Sequence, residues 1–349
     1  MNTPLVTDRT PRAFTPAFLY SQRHPRRMPD GVNDWDTPLA ESGPGSVPVV
    51  LIHGTWMNSY CTWSLIAPTL VDAGYRVFAV NYGQDPSCFL GRRPACFGNA
   101  GLLEAQAEVA AFIDKVLEHT GAPVVDLVGH SQGVAQARLY LTDSGGAGDP
   151  AAGTAPRVRR VIGFAGSNHG TTLSGLGSLG RWSKNRGLYG PLRAVLGRCA
   201  EDQMIGSAAM AHINLHGDTV PGVDYTMLCS RYDEIVTPWR TQFLEEGEGA
   251  TVRNLQVQDH GNGGDISDHL SLLYSPRAID LMLEALDHGP AGCFPSGGRS
   301  GRTGSSRPRV QQNPRRRGCT VTGVQLCPAS SPARGGAGGT PRETTRCTP

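Results

Sequence analysis

Residues 124–140 read VVDLVGHSQGVAQARLY. The apolar run 124–128 is typical of a buried strand, residues 129–133 read Gly-His-Ser-Gln-Gly, and a pattern typical of a helix follows. The bare pattern G-x-S-x-G is common by chance. Between a strand and a helix, however, it predicts a nucleophile elbow, a sharp turn that exposes the hydroxyl of Ser131. The alternative is a plain turn of small residues that joins a strand to a helix.

Strand and helix patterns alternate along the chain from about Pro48 to His288. Short apolar runs predict strands at 49–52, 76–80, 124–128, 158–165, 225–230 and 251–257. Amphipathic spacing predicts helices at 65–73, at 104–118, directly after the elbow, and at 275–287. Strands that alternate with helices form parallel sheets with right-handed crossovers. We therefore predict an α/β fold with a mainly parallel sheet of about six strands flanked by helices.

Composition and charge divide the chain into three segments. We predict one α/β domain over 46–288, preceded by an irregular segment, 1–45, that is rich in proline and arginine. Residues 291–349 hold ten arginines, no lysine and one acidic residue, a net charge of +9, whereas residues 1–290 carry −7. An Arg/Gly/Pro-rich segment buries too little apolar surface to offset chain entropy, so we predict that the tail, 289–349, is disordered.

Composition also bears on several classes of function. No stretch approaches the roughly 20 apolar residues of a membrane helix, so we predict no transmembrane anchor. The chain has only two lysines, so its arginines reflect general usage and we expect no nucleic-acid partner. No set of Cys and His has zinc spacing, and we predict no metal and no cofactor. Cys88 and Cys96 flank a short loop, where a disulfide and two free thiols are both open.

A serine hydroxyl becomes a good nucleophile when a base takes its proton and an acid orients that base. Functional groups of a parallel sheet gather at the carboxyl ends of the strands, and after an elbow serine the expected order is Asp or Glu, then His. Asp233 is the first carboxylate after the strand 225–230, and Glu234 is its competitor. His269 precedes apolar residues that can anchor it, and His260, in a Gly-rich stretch, is the competing base.

A serine nucleophile also needs backbone donors for the oxyanion that forms during attack. One donor is expected from the amide of Gln132, the residue after the nucleophile. The second is expected from the loop after the first strand, 53–56, where we assign the amide of Thr55. We predict that His53, in the same loop, is a structural hydrogen-bonding residue and not a base.

The order of these motifs resembles that of the class 2 lipases, a family of bacterial α/β-hydrolases that includes secreted esterases and triacylglycerol lipases. The resemblance is carried by residues 49–56, 74–83, 129–133, 232–238 and 268–274. Together the matches span roughly Gly31 to Asp287, and their joint order is far more specific than any single motif.

The resemblance implies an α/β-hydrolase fold and a triad of Ser131, Asp233 and His269. It also implies that the amides of Thr55 and Gln132 bind the oxyanion. We therefore expect hydrolysis of carboxylic esters, acylglycerols among them, through an acyl-enzyme, with a small-molecule or lipid ester as substrate and contact with a lipid interface. The alternatives are an acyltransferase that uses the same triad and a non-enzymatic lipid-binding homologue.

The sequence says less about the acyl cleft and the location of the protein. Residues expected either to line the cleft or to pack in the core are Trp56, Trp63, Phe89, Phe97 and the stretch 166–182 with Leu173, Leu176 and Leu179. The resemblance implies secretion, but residues 1–45 contain no apolar signal segment, so a cytoplasmic location is the alternative. The oligomeric state stays open.

Overall fold

Six strands form one parallel sheet in the computed structural model, which describes residues 4–172, 189–261 and 264–287. The strands are β1 Pro48–Ile52, β2 Arg76–Val80, β3 Val125–His130, β4 Val158–Phe164, β5 Asp224–Cys229 and β6 Thr251–Gln256. Their order across the sheet is β2-β1-β3-β4-β5-β6, and every neighbouring pair is parallel. The predicted α/β fold with a mainly parallel sheet is confirmed.

Helices pack on both faces of this sheet. Within the described residues they are α1 Phe14–Arg23, α2 Ser59–Trp63, α3 Ile66–Asp72, α4 Leu102–Thr120, α5 Gln132–Asp143, α6 Tyr189–Leu196, α7 Cys199–Asp202, α8 Ala208–Ile213 and α9 Pro276–Asp287. Helices α3, α4, α5 and α9 confirm the four that amphipathic spacing predicts. The others, all but α1 shorter than nine residues, are not predicted.

The order of the strands reverses at β1. After β1 the chain adds β2 on one side of it and then β3 on the other, so the loops that follow β1 and β3 border one crevice. Ligands of open α/β sheets bind in such crevices, at the carboxyl ends of the strands. Ile52 pairs with Gly129 in the register of β1 and β3. The loop that begins at His53 therefore lies beside Ser131.

Both faces of the central strands are buried. In β1, Val49 and Leu51 belong to one apolar cluster and Val50 and Ile52 to another, because successive side chains of a strand point to opposite faces. The first cluster includes residues of α1, α2, α3 and α9, and the second includes residues of α4 and α5. Burying one such side chain stabilises a fold by about 1.5–3 kcal/mol. The middle strands are thus a rigid support for the loops that follow them.

The N-terminal segment, 1–45, is not irregular throughout, as we predicted, because it contains α1. This helix has no side-chain N-cap and no acidic residue in its first turn, so its own sequence carries little helix signal. Phe14 and Phe18 pack against the first cluster, and the side-chain amide of Asn58 donates to the hydroxyl of Ser21 (3.1 Å). Tertiary packing therefore stabilises a helix that local pattern does not predict.

Cys88 and Cys96, whose pairing the sequence leaves open, are buried free thiols in the structure. The thiol of Cys88 donates to the carbonyl of Asp85 (3.3 Å), and that of Cys96 donates to the carbonyl of Trp56 (3.6 Å). Burial raises the pKa of the Cys96 thiol to about 11. Hydrogen bonds of the thiols, and not a disulfide, hold this loop.

Two other predictions concern membrane-spanning helices and the C-terminal tail. Among the described residues, no helix combines the length and the apolar character needed to cross a membrane. The tail predicted to be disordered, 289–349, lies outside the described residues, so that prediction stays a prediction.

Candidate active site

Ser131 lies in a sharp turn between β3 and α5, as the elbow pattern predicts. Its φ of 53° and ψ of −119° are strained for a residue that carries a Cβ. A Cβ at Gly133 would collide with the carbonyl oxygen of Ile52, and one at Gly129 would lie 2.6 Å from the amide nitrogen of Val134. The two glycines therefore let β1 and α5 close around the turn.

Backbone hydrogen bonds hold this strained turn in place. The amide of Ser131 donates to the carbonyl of Phe164 (2.9 Å), at the end of β4. The carbonyl of Ser131 accepts from the amides of Val134 (3.1 Å) and Ser167 (3.2 Å). Ser131 is only 4% exposed, so a substrate reaches its hydroxyl through a cleft and not from an open surface.

Asp233 and His269 meet beyond the carboxyl end of β5. Nδ1 of His269 lies 2.8 Å from Oδ2 of Asp233, and both side chains are buried. Oδ1 of Asp233 accepts from the amides of Ile235 (2.9 Å) and Val236 (2.8 Å), and Oδ2 also accepts from the side chain of Gln242 (2.9 Å). A buried carboxylate needs such partners, because without them its desolvation would be very unfavourable.

The two competing residues are placed differently. Oε2 of Glu234 lies 3.4 Å from the backbone amide of His269, so this carboxylate is near the main chain of the histidine, whereas Asp233 contacts the ring. The amide of His260 donates to the carbonyl of Val257 (3.3 Å), and its side chain is not among those that line the cleft described below. The structure thus brings Asp233 and His269 together with Ser131.

His130, inside the elbow motif, contacts both the backbone and the ring of His269. Its Nε2 donates to the backbone carbonyl of His269 (3.1 Å), and the centroids of the two rings are 4.8 Å apart. Complete burial lowers the pKa of His130 well below its usual range. The ring is therefore neutral and does not repel a positive charge that forms on His269.

His53 has the structural role that the sequence predicts. Its Nδ1 donates to the carbonyl of Gly54 (2.8 Å), and its ring stacks on that of Tyr82 with centroids 4.5 Å apart. The hydroxyl of Tyr82 donates to the carbonyl of His53 (2.8 Å). Burial lowers the pKa of His53 to about 4. This neutral histidine fixes the loop after β1.

A network of side chains ties that loop to the start of α5. The hydroxyl of Thr55 donates to Oε1 of Gln132 (2.7 Å). Nε2 of Gln203 lies 2.8 Å from the Thr55 hydroxyl and 3.3 Å from Oε1 of Gln132, and Oε1 of Gln203 accepts from the hydroxyl of Ser167 (3.0 Å). Sequence reasoning missed Gln203, because it lies 71 residues beyond Gln132 in a stretch with no motif.

The cleft in front of Ser131 has a volume of about 280 Å³ and is mostly apolar. It is lined by Ser131 and His269 together with Phe14, Phe18, Gln22, Thr55, Trp56, Met57, Leu90, Arg93, Cys96, Thr171, Ala200, Gln203, Ile235, Val236 and Leu270. Helix α1 thus contributes one wall, which the prediction of an irregular segment did not anticipate.

Of the aromatic residues that the sequence singles out for the cleft, the structure places one there. Trp56 lines it, and its indole N–H donates to the carbonyl of Leu196 (2.6 Å). Trp63 is fully buried in the first core cluster, and Phe89 and Phe97 are not among the lining residues. The leucines of the stretch 166–182, namely Leu173, Leu176 and Leu179, lie outside the described residues.

The fold and the site can now be compared with known proteins. A family model described as Lipase (class 2) matches residues 46–260, more than half of the chain. The chain belongs to the class 2 lipase family. This confirms the resemblance seen in the motifs, and membership of this family supports a carboxylic ester hydrolase. The match includes Ser131 and Asp233 and ends before His269.

Solved structures similar to this chain include lipases. Lipase B of Aspergillus fumigatus is 20% identical with a TM-score of 0.56, and the match covers 76% of this chain and 57% of that one. The mature lipase BlEst2 of Bacillus licheniformis is 16% identical with a TM-score of 0.48, and the match covers 72% and 96% of the two chains. This chain thus spans little more than half the length of the Aspergillus lipase, and their likeness shows the α/β-hydrolase fold.

Proposed function

We propose that this class 2 lipase hydrolyses carboxylic esters with Ser131 as nucleophile, His269 as base and Asp233 as the acid that orients the base. The observation that carries the proposal is that Ser131 and His269 line one cleft while Nδ1 of His269 contacts the buried carboxylate of Asp233 at 2.8 Å. A carboxylate only accepts, so the ring proton lies on Nδ1 and Nε2 is left as the base.

Attack on the ester carbonyl follows from this tautomer. Nε2 of His269 takes the proton of the Ser131 hydroxyl as the oxygen adds to the carbonyl carbon, and Asp233 stabilises the imidazolium. The amides of Thr55 and Gln132 bind the oxyanion. In support, neither amide has a hydrogen-bond partner among the described residues, whereas the side chains of both residues are held by Gln203.

The tetrahedral intermediate then collapses. His269 gives its proton to the leaving alcohol, and an acyl-enzyme remains on Ser131. A water molecule attacks this ester by the reverse route, with His269 again as base, and releases the carboxylic acid. His269 is the only base that these steps require.

The shape of the cleft bears on the substrate. Its volume of about 280 Å³ lies just below the roughly 300–1,000 Å³ common for ligand pockets. A small apolar cleft favours short acyl chains over long ones. Lipid esters such as acylglycerols, contact with a lipid interface and secretion belong to the proposal through family membership.

The proposal is tested with p-nitrophenyl butyrate and p-nitrophenyl palmitate. We expect the wild type to release nitrophenol from both, faster from butyrate, and Ser131→Ala to lose at least about 10³-fold in kcat, as measured for other serine triads. Ser64→Ala is a matched control, because this buried serine contacts Tyr274 (3.0 Å) and lies outside the cleft.

Two results would contradict the proposal. One is a folded wild type, by circular dichroism, that hydrolyses neither ester. The other is a folded Ser131→Ala variant as active as Ser64→Ala. Product analysis with added alcohol separates hydrolysis from acyl transfer, because a transferase would form a new ester in place of the free acid.

A further inference from the structure

Among the described residues, Arg93 brings a permanent charge to the lining of this mostly apolar cleft. Among its lining residues Arg93 alone belongs to the Lys, Arg, Asp and Glu class, and no carboxylate is found there in the described part of the chain. Asp233 is held behind His269 and does not reach the lining. From the described residues, an ester that enters this cleft therefore meets the positive charge of Arg93 and no carboxylate.

No described carboxylate neutralises the charge of Arg93. In the ranges that the structure describes, no acidic side chain lies within ion-pair distance of its guanidinium, whereas eight other arginines there make such pairs. The guanidinium carbon lies 5.7 Å from the centroid of the Phe89 ring. Stacking on an aromatic face leaves the N–H groups at the edge of the guanidinium open to a planar acceptor.

The position of Arg93 is set by its backbone. The amide of Arg93 donates to the carbonyl of Leu90 (3.0 Å), and the carbonyl of Arg93 accepts from the amide of Cys96 (3.1 Å) and the side chain of Gln84 (3.1 Å). The phenyl ring beneath it, Phe89, is 56% exposed. Support of the guanidinium gives this exposed ring a role.

We propose that Arg93 is a specificity-determining residue that binds a carboxylate carried by the substrate, so that the preferred substrates are esters with a free acid group. Half-esters of dicarboxylic acids and short oligomers of hydroxy acids have this chemistry. A guanidinium binds a carboxylate through two parallel N–H···O hydrogen bonds, which fix the ester in the cleft as well as attract it. This inference rests on the proposed function, because it concerns the same cleft.

The test compares mono-p-nitrophenyl adipate with p-nitrophenyl hexanoate, two esters with acyl chains of equal length of which only the first has a free carboxylate. The quantity measured is the ratio of kcat/KM for adipate to that for hexanoate. We expect Arg93→Gln to lower this ratio about three- to tenfold, mainly through the KM for adipate, and Arg93→Lys to lower it less. The wild-type ratio should also fall when about 0.5 M NaCl screens the charge.

Arg92→Gln is the matched control. Arg92 is the neighbouring exposed arginine, its Nε donates to the carbonyl of Pro86 (3.2 Å), and it does not line the cleft. An unchanged ratio in Arg93→Gln would overturn the inference. An equal fall in Arg92→Gln would also overturn it, because the fall would then be an effect of net charge alone. Failure of the proposed function is distinct, because hexanoate hydrolysis would then not depend on Ser131.

Discussion

Among the described residues, two buried or half-buried Asp–His pairs have almost the same contact distance and different surroundings. A third pair, His212 with Asp143 (2.7 Å), is more exposed. Nδ1 of His269 lies 2.8 Å from Asp233, and Nε2 of His169 lies 2.9 Å from Asp218. The first pair lies at the cleft with Ser131. The second follows β4 and lines no part of that cleft. A search for adjacent Asp and His would return all three pairs.

The pairs differ at the other ring nitrogen. Nδ1 of His169 lies 3.0 Å from the carbonyl oxygen of Thr241. Carbonyl and carboxylate oxygens only accept, so both nitrogens of His169 carry protons when both contacts form, and the hydrogen bond with Asp218 raises its pKa. Nε2 of His269 has no such partner in the described ranges. An Asp–His contact therefore indicates a base only where one ring nitrogen stays open beside a hydroxyl.

A buried arginine completes the second pair. The guanidinium of Arg138, only 3% exposed, lies 3.3 Å from Asp218. It also donates to the carbonyls of Asn168 (3.1 Å) and Gly217 (3.2 Å). These contacts connect the loop after β4 with the segment before β5. The second pair is thus part of a structural ion cluster.

The largest expected effect is on catalysis and separates the two histidines. His269→Gln removes the base, so we expect kcat for p-nitrophenyl butyrate to fall by at least about 10³-fold. His169→Gln removes only a contact between loops, so we expect a fall of less than about tenfold. Circular dichroism of both variants controls for folding. Equal losses in two folded variants would show that the open ring nitrogen is not what distinguishes the pairs.

The next effect is on stability and separates the two aspartates. Asp218→Asn leaves the buried guanidinium of Arg138 without a carboxylate, so we expect the free energy of unfolding to fall by about 3 kcal/mol. Asp233→Asn leaves no buried guanidinium without its carboxylate and keeps an oxygen for the amides of Ile235 and Val236, so we expect a loss of about 1 kcal/mol. Urea denaturation measures both values.

The activities of these two variants should rank in the opposite order. Asp233→Asn changes the group that sets the tautomer of His269, so we expect kcat to fall by about 10²- to 10⁴-fold. Asp218→Asn should keep most of the activity at temperatures where it is folded. A Asp233→Asn variant that is both fully active and stable would contradict the role of Asp233.

Whether a feature could be predicted from the sequence depends on how far apart in the chain the residues that form it lie. The strands and the elbow at Ser131 were predictable, because apolar runs and flanking glycines are local signals. Asp233 and His269 were candidates because the carboxyl ends of parallel strands meet at one edge. The choice of Asp233 over Glu234, whose carboxylate lies near the main chain of His269, needed the side-chain geometry.

Long-range contacts account for what the sequence did not predict. Helix α1 forms because it packs on α2 and the core, and so one wall of the cleft was missed. Gln203 reaches Thr55 across 148 positions, and Arg138 reaches Asp218 across 80. No periodicity or spacing encodes such pairs. Buried polar clusters of this kind are therefore found only once the fold is known.

The smallest expected effect is the pH dependence of stability that the second pair contributes. The folded-state pKa of His169 is raised by Asp218, so its contribution is complete below the unfolded value of about 6.5 and is lost as the pH rises through the folded value. The pKa of Asp218 is lowered by its hydrogen bonds, so its contribution is lost when the pH falls through that lower value. The pair should therefore stabilise the fold most in mildly acidic solution.

This contribution is measured as the difference in the free energy of unfolding between the wild type and His169→Gln, from pH 5 to pH 9. The difference should be largest near pH 5 and should shrink as the pH rises. Because the side chain of His169 is about one-third exposed, solvent screening keeps the change below about 1 kcal/mol. In the Asp218→Asn background the decrease with rising pH should be absent, because the hydrogen bond with Asp218 is the largest cause that raises the pKa of His169, whereas burial and Arg138 lower it. A decrease with rising pH that survives there would have a source other than the contact between His169 and Asp218.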